Sequence, residues 1–77
     1  MQVQVIIFGQ LAEITGSSGI LLQDISDTDS LILELQKMYP ALAGSKYAIA
    51  LDKQVLNRNT ILADNNIVAL LPPFSGG

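Results

Sequence analysis

The alternation of apolar and polar residues sets out the first element. Residues 2–8, Gln2-Val3-Gln4-Val5-Ile6-Ile7-Phe8, are rich in β-branched side chains and partly alternate, which predicts a strand. Val3, Val5 and Ile7 share one face, the natural core face, while Gln2, Gln4, Ile6 and Phe8 share the other. Phe8 therefore stands on a face that begins polar, and its ring is expected at the surface. Gly9 to Gly16 reads as a short helix or turn, with Leu11 and Ile14 three apart and Gly16 placed to terminate it. After the Ser17-Ser18-Gly19 loop, Ile20-Leu21-Leu22-Gln23 predicts a second strand, antiparallel to the first because the connection is short.

The rhythm then changes to a helical one. Asp27-Thr28-Asp29-Ser30 announces a helix, with Thr28 as the expected N-cap and Asp29 at the positive end of the dipole. Leu31, Leu35 and Met38 form the predicted buried stripe, flanked by Ile32 and Tyr39; Leu33 points away from it. Pro40 disfavours helical geometry at Tyr39 and closes the element.

Strand patterns return in the second half. Tyr47-Ala48-Ile49-Ala50-Leu51 alternates large and small, Asp52-Lys53 makes a two-residue turn, and Gln54-Val55-Leu56 forms a short strand. Asn57 to Asn59 reads as polar loop, and 62–66 as a turn in which Asn supplies left-handed geometry. Ile67-Val68-Ala69-Leu70-Leu71 is continuously apolar, the signature of a central strand. One of its faces belongs under the helix. The other is covered by a partner, or carries a modestly exposed residue. The order β, β, α, β, β, β predicts an α+β domain over residues 1–71, a mixed sheet packed on one long helix with first and last strands as neighbours. Residues 72–77 are expected to be a flexible, extended tail.

Composition narrows the function. Seventy-seven residues make one domain, whose core must come from its 49% apolar content, because there is no cysteine for a disulfide. Without Cys or His, the usual nucleophile, general base and soft metal ligands are missing, so no metal site is expected. The net charge is −3, and Lys37, Lys46, Lys53 and Arg58 are scattered, which argues against nucleic acid. No basic leader and no run approaching a membrane span are visible, so the expected compartment is the cytoplasm. If the chain takes part in chemistry, the candidate is the main-chain carboxylate of Gly77, at the end of Pro72-Pro73-Phe74-Ser75-Gly76-Gly77. Two prolines stiffen that tail, and two residues without Cβ let a narrow slot close around it.

Val5-Ile6-Ile7-Phe8-Gly9-Gln10-Leu11-Ala12-Glu13, the helix opening at Thr28, and Val68 through Gly77 together resemble the ubiquitin-like β-grasp sulfur carriers, most specifically the MoaD-like small subunits of molybdopterin synthase. The final Pro-Pro-x-x-Gly-Gly is the most specific part. Before the last strand, relatives often carry Asp-Gly-Asp-Glu where this chain has Asp64-Asn65-Asn66-Ile67.

The resemblance implies that an ATP-dependent activating enzyme adenylates the Gly77 carboxylate, and that a sulfur donor then converts it to a thiocarboxylate. It implies a chain that binds no cofactor itself and is not an enzyme alone. Sulfur would pass to a pterin precursor in molybdenum cofactor biosynthesis, inside the large synthase subunit of a heterotetramer. Pro72, Pro73, Phe74, Ser75 and Gly76 would enter that subunit, with Phe74 as anchor, and Phe8 and Leu71 would face it. Three other roles use the same features: a carrier for thiamine thiazole synthesis, which the prolines fit less well, a ubiquitin-like protein modifier, and an interaction module with an incidental tail.

Overall fold

The first and last strands lie side by side at the centre of one five-stranded sheet. The computed structural model describes residues 2–72, in the order β1 (Gln2–Ile7), α1 (Gln10–Thr15), β2 (Gly19–Gln23), α2 (Thr28–Met38), a 3-10 turn (Pro40–Gly44), β3 (Ala48–Leu51), β4 (Gln54–Leu56) and β5 (Asn66–Leu71). The sheet order is β2-β1-β5-β3-β4. β1 and β5 run parallel, with Val5 opposite Val68 and Ile7 opposite Leu70, and the other three pairings are antiparallel. This is the mixed sheet on one long helix that the sequence predicts.

The inner face is apolar throughout. Val3, Val5 and Ile7 of β1 meet Val68 and Leu70 of β5, and Leu31 and Leu35 of α2 pack against them. Leu11, from α1, and Leu42 are also nearly inaccessible. Met38 does not complete the stripe; it is 43% exposed, and Ile14 is 39% exposed. Met38 is the last residue of α2, and the core beyond Leu35 is continued instead by Leu42 of the 3-10 turn. Pro40 does terminate the helix. Leu33 is exposed as expected.

The helix cap also differs from expectation. Thr28 is not the N-cap: Asp27 is, its Oδ1 accepting from the Ser30 amide at 2.9 Å. Thr28 lies one residue inside and is buried. Its hydroxyl donates to Asn59 Oδ1 at 3.1 Å and accepts from the Thr60 amide at 2.9 Å. Asn59 Oδ1 also accepts from the Asp29 amide at 2.8 Å. The polar loop is therefore a clamp on the helix start, continued by Thr28 N to Thr60 O and Leu62 N to Ser26 O, both 2.9 Å. Hydrogen bonds from Ser30, by its side chain first and then its backbone amide, and from Asn59 hold the Asp27 carboxyl below its ordinary 3.8.

Two expectations follow. Leu42→Ala should cost about 2–5 kcal/mol in denaturant unfolding, whereas Met38→Ala should cost well under that, since little of Met38 leaves water. The depressed Asp27 pKa means its charge stabilises the fold above pH 3.8, and that contribution is lost as pH falls through the lower folded value. Thermal melts should show Asp27→Asn less stable than wild type at neutral pH, with the gap closing in acid.

Candidate functional site

The outer face of the sheet is built by the same alternation that builds the core. Ile6 of β1, Ile67, Ala69 and Leu71 of β5, Ala48 and Ala50 of β3, and Val55 of β4 all point away from α2, since their neighbours in sequence point in. Ala69 lies opposite both Ile6 and Ala50, so small side chains occupy the middle of this face. Larger ones stand around them: Phe8 and Leu71 at one end, Ile67 at the other and Val55 at the side. The result is a shallow apolar groove of about 700 Å³ with Asp52 and Lys53 at its rim. Phe8 is 46%, Ile67 45% and Val55 64% exposed. Three large apolar residues this exposed on one face are a patch rather than scattered singles.

Phe8 lies just beyond the end of β1, not within it. Its amide donates to the Leu70 carbonyl at 3.0 Å, which continues the parallel ladder and brings Phe8 beside Leu71. The expected exposure of Phe8 is observed; Leu71 is half-buried. Gly9 follows with φ +60° and ψ −140°, a conformation that favours glycine. A Cβ there would lie 3.0 Å from Pro72 Cγ. The Pro72 ring thus rests on the backbone of Gly9, and the chain leaves the sheet from its centre with its first tail residue seated.

The structure brings together Phe8, Leu71 and Pro72 from the predicted site. Pro73, Phe74, Ser75, Gly76 and Gly77 lie outside the described residues. What sequence reasoning missed is the rest of the groove: Ile6, Ala50, Val55, Ile67 and Ala69. The signal was present, since the apolar face of β5 had no helix to cover it.

A second concavity of about 270 Å³ lies between α2 and the β3–β4 hairpin, near Thr28, Asp29, Tyr47 and Arg58. Asp27 and Asn59 already take the helix-start amides of Ser30 and Asp29 there, so those donors have no capacity for a ligand. Among the described residues, no group of acidic side chains could hold a metal ion, and no helix is long and apolar enough to cross a membrane.

The ThiS family matches residues 5–77. The chain is similar, at 30% identity and a TM-score of 0.76 with full coverage of both chains, to a structure of the complex of subunits 1 and 2 of molybdopterin-converting factor from Helicobacter pylori 26695. Small archaeal modifier protein 1 from Methanosarcina acetivorans is 25% identical, with a TM-score of 0.84 over 99% of this chain and 96% of that one. A putative molybdopterin converting factor subunit 1 from Pyrococcus furiosus shares the fold at a TM-score of 0.86 and 19% identity, over 96% and 99% of the two chains. No curated protein matches the chain. These likenesses establish the ubiquitin-like β-grasp fold.

The two faces make separable predictions. Phe8→Asp should leave a cooperatively folded domain with a melting temperature within a few degrees of wild type, because the new charge enters water. Leu70→Asp should abolish the transition, since Leu70 has no exposure and its charge would be buried without a partner. Circular dichroism melts distinguish them.

Proposed function

This chain belongs to the ThiS family, whose match spans residues 5–77, and we propose that it is a sulfur carrier serving molybdopterin synthesis. In this reading the Gly77 carboxylate attacks the α-phosphate of ATP on an activating enzyme and pyrophosphate leaves. The acyl adenylate that forms has AMP as a good leaving group, which a bare carboxylate lacks. A sulfur donor displaces AMP and leaves a thiocarboxylate. That sulfur is anionic near neutral pH and nucleophilic, and it adds to an electrophilic carbon of a pterin precursor in the active site of the large synthase subunit. Water then cleaves the bond between the Gly77 carbonyl carbon and the sulfur, leaving the sulfur on the pterin and regenerating the carboxylate. Pro72, Pro73, Phe74, Ser75 and Gly76 carry the sulfur into that active site.

The observation that supports this most directly is the continuity between groove and tail. Leu71 lines the groove and Pro72, the next residue, rests on Gly9. A protein docked on Phe8 and Leu71 would receive the tail from the same spot. From Pro72, six extended residues reach about 20 Å, enough to bring Gly77 well inside another protein. The seated proline lowers the entropy lost on insertion. The likeness to subunit 1 in the H. pylori complex supports a large-subunit partner. This chain then contributes no catalytic side chain, which agrees with its lack of Cys and His.

A second reading has support from the likeness to small archaeal modifier protein 1. The activated carboxylate would be the same, with a lysine amine as acceptor in place of a sulfur donor. The chemistry diverges only after adenylation.

Deletion of Gly77 should abolish sulfur transfer in a reconstituted synthase assay while leaving the melting temperature unchanged. Retained transfer would remove the tail from the mechanism. In the same assay Phe8→Asp and Leu71→Asp should weaken large-subunit binding by about tenfold or more, the effect of a charge in the centre of an apolar contact.

A further inference from the structure

The turn between β3 and β4 keeps long side chains where the backbone favours glycine. Asp52 and Lys53 have φ of 47° and 75°, the left-handed values that a type I′ hairpin requires and that Asn-Gly or Asp-Gly adopts more readily. Asp52 has a structural reason to be there. Its Oδ1 accepts from the Ile67 amide at 3.1 Å, its Oδ2 accepts from the Asn66 side-chain amide at 2.9 Å, and its own amide donates to the Ile67 carbonyl at 2.9 Å. These bonds fix the start of β5. Lys53 is exposed and adopts the less favourable geometry without any such bond among the described residues. Glycine would satisfy the turn at lower cost.

Lys53 does have a distinctive position. It stands on the rim of the apolar groove, where Asp52 is the only other charged residue among the described lining. Both Asp52 oxygens accept internal hydrogen bonds that hold its carboxylate in place, whereas Lys53, exposed on the same rim, is the cationic donor an incoming surface could meet. Its aliphatic stem can lie along the groove wall while the ammonium stays wet. Lys53 is one of only four cations in a chain of net charge −3, and it is the one that the groove lining includes. A strained residue beside a binding face is a recognised sign that its side chain is used.

We infer that Lys53 is a specificity determinant: its ammonium pairs with a carboxylate beside the apolar ridge with which the tail-receiving partner fills the groove. This rests on the sulfur-carrier reading above. The apolar contact holds the partner, and the Lys53 pair sets its orientation, which in turn directs the tail. Charges at an interface rim act mainly on encounter and orientation, so the effect is modest and sensitive to salt.

The test measures binding of the full chain to the large synthase subunit encoded in the same genome, by titration calorimetry at low and high salt. Wild type is compared with Lys53→Gly, Lys53→Glu, Lys53→Arg and Phe8→Asp. Lys53→Gly should melt at or above the wild-type temperature yet bind about two- to fivefold more weakly. Lys53→Glu should bind more weakly still. Lys53→Arg, with the same backbone cost and the same charge, should bind like wild type. The differences should shrink at high salt. Binding that depends on Phe8 but is indifferent to the charge at position 53 would overturn this inference alone, as would an Arg variant as weak as the Gly variant. Failure of the wild-type chain itself to bind would overturn both this inference and the reading beneath it.

Discussion

The parallel pairing of β1 with β5 is the constraint on which the molecule depends. It joins the two ends of the chain at the centre of the sheet, so each element between them must form the edges or cover a face. Because the two strands are in register, Val3, Val5 and Ile7 fall on the same side as Val68 and Leu70, and α2 has one apolar surface to pack on. The same register puts Ile6 beside Ala69, and Phe8 beside Leu71 just past its end, on the other side. Core and groove are thus two faces of one pairing. A slip of one residue would exchange them.

Much of this was legible in the sequence because it is written in periods. Alternation in β1 identified its core face and placed Phe8 outside, and the unbroken apolar run of β5 marked the central strand. Asn65 was recognisable as a turn residue because Asn takes positive φ more readily than most side chains, and Asp52-Lys53 as a polar break between two strand patterns. What was not legible depended on distance. Thr28 fits the preferences of a cap as well as Asp27 does, and only the approach of Asn59 and Thr60 from the far side of the chain decides between them. Likewise, Met38 continues the helical stripe perfectly well; yet it is exposed at the helix end, and Leu42 from the next turn joins the core in its place. The groove was half visible, since an uncovered face was predicted but not that Ala50 and Ala69 hollow its centre.

In the proposed role the chain delivers a reacting group to a partner, and the architecture suits that role. Pro72 follows directly from β5, the central strand of the sheet, rather than from an edge strand. Gly9 accommodates Pro72 because it has no Cβ in the way. In the proposed role, that seating makes docking of the groove and presentation of the carboxylate one event. A partner would gain affinity from the sheet face and spend little ordering the first tail residue.

The central claim is that the carboxylate of Gly77 carries sulfur. Intact-mass spectrometry of the full chain, recovered with an N-terminal tag from cells that contain its activating enzyme, tests it directly. The account predicts a species in which one oxygen has been replaced by sulfur, and its disappearance when Gly77 is deleted. A chain found only unmodified, or joined through its terminus to lysines of other proteins, would contradict it.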